Sequence, residues 1–159
     1  MSYNASTVAN HFLAKASAEG VPLTPMQLIK LVYIAHGWHL GYFKRPLINE
    51  DIHAWKFGPV IDSIYHQVKS FGNSPVTQFL QMPVGAPPVV EDPNSRALLD
   101  NVWASYRQYN GLQLSTMTHQ PNTPWDLTWN GKGGKFQRSA VIPDAIIQQH
   151  YEQLINRVQ

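Results

Sequence analysis

Three sets of residues have the types and spacing for chemistry. His36 and His39 are three apart, which on a helix sets two imidazoles on one face, as in a paired metal ligand or an acid–base pair. No His-Glu-x-x-His run and no third ligand at zinc-ligand spacing accompanies them, so hydrogen-bonded structural histidines are the better reading, and no metal or cofactor is expected. Ser115, Thr118, His119 and Asp126 gather hydroxyls, an imidazole and a carboxylate in one short stretch. A catalytic triad needs a strand-to-helix elbow and an oxyanion hole, and adjacency in sequence supplies neither. Thr118 and His119 read instead as ties from the end of a short helix to its neighbours. No catalytic residue is assigned, and the protein is not read as an enzyme. Gly131-Lys132-Gly133-Gly134-Lys135 has the composition of a phosphate cradle without the required order, and no buried strand precedes it. With Arg138 it reads as a cationic surface loop that could touch an acidic partner.

Composition narrows the setting for these residues. The 159 residues suit a single domain over 1–159, able to bury about two thirds of its unfolded surface. Apolar residues make up 43% and charged residues only 14%, a balance that reserves some surface for a partner. Lys and Arg number 12 against 10 Asp and Glu, a thin excess that does not call for nucleic acid. Cysteine is absent, which excludes disulfides, thiolate metal sites and a cysteine nucleophile. The first residues lack a basic stretch followed by an apolar one, and no apolar run reaches the roughly 18 residues needed to span a bilayer. A cytoplasmic location and no membrane partner are therefore expected.

The elements that must position such residues follow from periodicity. Val8, Ala9, Phe12, Leu13 and Ala16 share an arc, predicting an amphipathic helix over 6–19 that Gly20 ends. Thr24 can cap the next helix, Pro25 suits its first turn, Gln27 can complete a capping box, and Leu23 with Leu28 can form a hydrophobic staple. Over 27–41 only Gln27, Lys30 and Gly37 break an apolar circumference, so this helix should be central and packed on several sides. Residues 48–57 read as extended, a small hairpin arm. Gly58-Pro59 is expected to start a helix whose inner face is Val60, Ile61, Ile64, Tyr65, Val68 and Phe71, closed by Gly72. Residues 73–93 lose all periodicity yet remain apolar, predicting an irregular flap packed on the domain or on a partner. Asp92-Pro93 should begin a helix stopped at Gly111, followed by a short one over 112–120 broken by Pro121 and Pro124. Pro143-Asp144 should begin a last helix with Ile146, Ile147, Tyr151, Leu154, Ile155 and Val158 inward. The fold expected is mainly α, a helical bundle of about five to six helices with a small β-hairpin or extended arm.

One longer pattern is more specific than any of these. It comprises Gln27-Leu28-Ile29-Lys30-Leu31-Val32-Tyr33-Ile34-Ala35-His36-Gly37-Trp38-His39-Leu40, Pro46-Leu47, Ala54-Trp55-Lys56-Phe57-Gly58-Pro59-Val60 with Ile64-Tyr65, Leu114-Ser115, Thr118-His119 and Pro124-Trp125. In combination it resembles the Panacea domain family, also called GepA-like or SocA-like, over most of the chain. That resemblance implies a bacterial or prophage antitoxin that neutralises a cognate toxin by direct contact, with a protease as a further implied partner in one branch. It carries no catalytic residues. Gly37, Trp38, Trp55, Gly58, Pro59, Thr118, His119, Pro124 and Trp125 are then expected to be architectural. Departures from the family pattern at 76–90 and in the glycine-lysine loop make Phe79, Met82, Trp129, Lys132 and Lys135 the expected partner-binding positions. A homo-oligomer is left open. The alternatives are a small metal-assisted or acid–base enzyme using His36, His39 and His119, and weak nucleic-acid binding through Lys132, Lys135 and Arg138.

Overall fold

A computed structural model describes residues 2–158, with the side chain of Val158 outside the described set. The elements run α1 (Ala5–Glu19), α2 (Pro25–Phe43), β1 (Ile52–Trp55), β2 (Gly58–Val60), α3 (Asp62–Val68), α4 (Pro93–Tyr106), α5 (Gly111–Thr118), α6 (Pro124–Asp126), β3 (Ala140–Ile142) and α7 (Asp144–Val158). The fold is mainly α, as expected. Alpha-helix α6 is a single turn that runs into a π-helical turn, Leu127–Gly131.

Helix α2 is the axis of the molecule. Its start is built as the sequence predicts: the Thr24 hydroxyl accepts from the Gln27 amide, the Gln27 side chain returns to the Thr24 amide, and Pro25 occupies the first turn. Leu28, Leu31, Val32, Tyr33, Ile34 and Ala35 are essentially inaccessible on all sides of the helix, because α1, α4, α5, α7 and β2 surround it. Lys30, expected on a polar stripe, is buried with them. Gly37 and Gly41 are bare for a reason the pattern does not disclose. The Tyr151 ring of α7 lies so close that a Cβ on Gly37 would sit 2.1 Å from its Cε2, and one on Gly41 would sit 2.9 Å from the Tyr151 Cβ.

The hairpin arm is part of a three-stranded antiparallel sheet of order β2-β1-β3. Trp55 pairs with Gly58 across the turn, and Ile52 pairs with Ile142 of β3 on the other side. Along β1 burial alternates, with Ile52 and Ala54 inward and His53 and Trp55 partly covered. Gly58-Pro59, expected to open a helix, belongs to β2 instead, and the helix begins at Asp62. The φ of +116° at Gly58 is incompatible with a helical start, and Pro59 suits an edge strand because it has no N–H to leave unpaired. Two further boundaries differ. Helix α4 ends at Tyr106, and Asn110 caps a separate helix in which Gly111 is the first residue. Pro124 starts α6 under a Thr123 cap, occupying the first-turn position where its missing N–H costs nothing.

The flap over 73–93 is irregular and packed on the domain, with Val76, Leu80 and Val90 buried. Two side-chain amides hold it by mimicking strand pairing. The Asn10 side chain donates to the Leu80 carbonyl at 2.9 Å and accepts from its N–H at 2.7 Å. Gln67 does the same for Gln81, at 3.1 and 2.8 Å. No helix among the described residues is long and apolar enough to cross a membrane.

Candidate functional site

The site grows out of the β1–β2 turn. Its backbone carbonyls at alternate positions are each captured by a side chain from a different element. Trp125 of α6 donates its indole N–H to the Trp55 carbonyl at 2.6 Å. Ser115 of α5 donates its hydroxyl to the Phe57 carbonyl at 2.6 Å. Lys30 of α2 donates from its amine to the Pro59 carbonyl at 2.8 Å. The Trp55 indole is held in turn by the Ser139 hydroxyl at 2.9 Å, and its ring meets Tyr65 edge-on at 4.9 Å. Gly58 has a φ of +116°, which favours glycine, and a Cβ there would lie 2.9 Å from the Lys30 Nζ, so the amine would have to shift from its bond to the turn.

This arrangement ties the turn down through its carbonyls and leaves its tip open. Lys56 and Phe57 project outward, Phe57 being 61% exposed with the Lys56 Nζ 5.6 Å from its ring centre. Beside them lies a cleft of about 460 Å³ between the start of α2, the tip and α3, walled by Met26, Trp55, Phe57 and Tyr65. Lys56 and Lys69 edge it and Lys30 lines it. Burial pushes the Lys30 ammonium down to about 7. An exposed aromatic at the tip of a turn whose backbone is tied down, beside an apolar cleft, has the chemistry of an interface anchor.

The histidines and hydroxyls considered for catalysis are occupied otherwise. The His36 Nδ1 accepts from the Ile48 amide at 3.4 Å, which places the proton on Nε2, 2.9 Å from Asp144 at the head of α7. The two ring nitrogens of His39 face the Arg45 carbonyl and the Ser95 hydroxyl, both at 2.8 Å, tying α2 to the start of α4. Burial lowers the His39 pKa, so the ring is held neutral. No group of three or more potential ligands that could hold a metal ion occurs among the described residues. Around Ser115 no triad forms. The His119 ring faces the Ser115 carbonyl, and Asp126 accepts from the Asn122 amide and the Asn130 side chain, which lowers its pKa.

The residues expected to face a partner fall into two groups on different supports. Phe79 is 60% exposed on the flap, while Met82 is half covered and its sulfur accepts from the Thr7 hydroxyl of α1. Trp129 stacks on Trp125 at 5.7 Å, which sets it behind the hairpin tip. Lys132 and Lys135 are exposed in the loop that follows. Sequence reasoning missed Met26, Phe57 and Tyr65 as one cleft, and placed Lys30 on a polar stripe of α2. The available signal was the lone lysine in a helix apolar on every side.

Of the positions expected to be architectural, Gly37 lies at the α2–α7 contact, and Trp55, Gly58, Pro59, Thr118 and Trp125 lie in or against the pinned turn. Trp38 donates to the Tyr106 hydroxyl at 3.1 Å and packs edge-on against Tyr151. The His119 ring packs edge-on against Trp125 at 5.3 Å.

Residues 28–126 match the family described as "Antitoxin SocA-like, Panacea domain". A relative, Antitoxin SocA of Caulobacter vibrioides (strain NA1000 / CB15N), is 30% identical over 156 residues, covering 94% of this chain and 83% of the relative. No solved structure matches. The matched region spans more than half the chain and contains α2 from Leu28 onward, the pinned turn and the three side chains that capture its carbonyls, and on this ground the protein belongs to the antitoxin SocA-like, Panacea domain family.

Proposed function

We propose that this protein is an antitoxin that neutralises a cognate toxin by direct protein–protein contact. The observation that carries the reading is the family match over 28–126 together with a relative bearing the name Antitoxin SocA. The site supports it, since the exposed Phe57 rests on a turn fixed by Trp125, Ser115 and Lys30, and those groups are spent on backbone carbonyls rather than on a substrate. Phe79, Met82, Trp129, Lys132 and Lys135 are proposed as further partner-facing positions.

Contact can silence a toxin by covering its active surface or by delivering it to a protease, and the second route adds the protease as a partner. The test is coexpression of the protein with the product of the adjacent reading frame in a heterologous bacterium. Growth arrest by that product alone and rescue by coexpression are the expected result. Arrest that persists at matched expression, with the two proteins failing to copurify, would overturn the proposal. Toxin abundance during rescue separates the routes: unchanged abundance indicates occlusion, and a fall that requires a host protease indicates delivery.

A further inference from the structure

We infer that the cleft beside the hairpin tip docks an acidic segment of the toxin with an apolar anchor, the anchor entering between Met26, Phe57 and Tyr65 and its flanking carboxylates meeting Lys56 and Lys69. This rests on the antitoxin reading and gives it a surface and a partner chemistry.

Charge complementarity selects the occupant. Every charged side chain lining the cleft is a lysine: Lys30, Lys56 and Lys69. The carboxylate on the neighbouring face of α3, Asp62, pairs with His66 at 3.2 Å and does not line the cleft. Lys30, whose amine donates one N–H to the Pro59 carbonyl, keeps a second N–H at the floor of the cleft in either protonation state. The chemistry offered is an apolar slot with the cations Lys56 and Lys69 at its edge and an amine donor, Lys30, at its floor, complementary to an apolar side chain between acidic ones.

The same charges disfavour the competing occupants. A second copy related by a twofold axis would set lysine against lysine across the contact. Nucleic acid would need a longer basic track than two edge lysines on a chain of net charge +2. The other apolar groove, about 440 Å³ between α2 and α4 and walled by Trp38, Tyr42, Leu98 and Tyr106, has no charged lining residue and so selects no partner charge.

The test has two arms, each run on the full chain. In the first, end-capped synthetic peptides carrying one tryptophan between glutamates, or between lysines, are titrated into the protein while the Trp55 indole and the tip amides are followed by NMR. The acidic peptide is expected to perturb these signals and to bind at least about tenfold more tightly than the basic one, an advantage that Lys56→Glu with Lys69→Glu reverses. Equal binding of both peptides, tighter binding of a single-stranded oligonucleotide, or self-association that Phe57→Ser dissolves would each overturn the inference.

In the second arm, Phe57→Ser and the double lysine variant are expected to lose toxin rescue at unchanged Tm, with Tyr42→Ser in the other groove as the control. Rescue that survives both tip variants sinks the docking site and leaves the antitoxin reading standing. Failure of the wild-type protein to rescue sinks the antitoxin reading, and the cleft then stands or falls on the peptides alone.

Discussion

Lys30 shows how one buried group can be both a structural tie and a liability. Its amine satisfies the Pro59 carbonyl, a bond worth about 1 kcal/mol, yet burial holds its pKa near 7 against an ordinary 10.5. Between those values the unfolded chain binds a proton that the folded chain does not, so stability rises with pH across that window. Below about 7 both states are protonated and the burial penalty is fully present. Urea unfolding between pH 7 and 9.5 should show stability climbing by up to about 1.4 kcal/mol per unit, and Lys30→Met should flatten that slope. His39 and His150 are lowered by burial and act below this window, while Tyr33, Tyr106 and Tyr151 are raised by burial and act with the opposite sign as their unfolded forms ionise toward pH 10, so the Lys30 slope is read in the lower part of the window. A slope unchanged by Lys30→Met would show that the amine is solvated. At Gly58 the backbone itself is the constraint. Gly58→Ala forces an alanine to a φ of +116° and pushes its Cβ against the Lys30 amine, at an expected cost of about 2–4 kcal/mol read as a lowered urea midpoint. The importance of Gly58-Pro59 is legible in the sequence, but its role is not. Punctuation of this kind reads as a helix start by local rules, and only the long-range bond from Lys30 shows that the pair ends a hairpin.

At the scale of elements, α2 and α7 meet through missing side chains. Gly37 and Gly41 lie one turn apart on α2 and form a flat strip onto which Tyr151 lies, with its ring also packed edge-on against Trp38 at 4.9 Å. Helix propensity and packing give opposite predictions here. Gly37→Ala would gain about 1 kcal/mol in an isolated helix, yet the new methyl would overlap the Tyr151 ring, and overpacking of that severity costs about 3 kcal/mol or more. Packing should win. Thermal unfolding of Gly37→Ala should show a drop in Tm, recovered in part when Tyr151→Ala opens the space, whereas a higher Tm for the single variant would mean the helices can separate at no cost. The helices themselves are legible because caps and apolar arcs are local: Thr24-Pro25, Asp92-Pro93 and the face of α7 all announce themselves. Strand β3 is not legible. Three residues flanked by glycine-rich loop become a strand only because β1 offers them an edge, as the pairing of Ile52 with Ile142 and Ala54 with Ala140 records. The flap is similarly half legible, its burial implied by its apolar content and its attachment through Asn10 and Gln67 hidden in distant residues.

For the molecule as a whole, the segment shared with the family is not the same as the unit that folds. The matched residues, 28–126, contain α2 without its capped first turn, and the pinned turn, but leave out α1 and α7. Yet α2 is apolar all round, and two of its sides are covered by those missing helices: α1 contributes Val8 and Phe12, fully buried, and α7 contributes Ile147 and Tyr151. The sheet also loses β3, so β1 would keep one partner and expose an edge. The head of α7 further holds Asp144, which fixes His36, and Ser139 just before β3 holds the Trp55 indole. At about 1.5–3 kcal/mol each, the burial lost with these side chains is comparable to the whole stability of about 5–15 kcal/mol that a domain of this size possesses. A fragment of residues 28–126 expressed alone should therefore lack a cooperative unfolding transition and dispersed methyl resonances, while the full chain shows both. Adding residues 1–27 and 127–159 as separate peptides should restore dispersion in part. If the fragment melts cooperatively by itself, the pinned turn is stable without α1 and α7, and the family would be defined by a self-sufficient core. If it does not, variation at the two ends of the chain is constrained by the need to enclose α2, and variation that changes partners must be sought on exposed ground such as the hairpin tip and the flap.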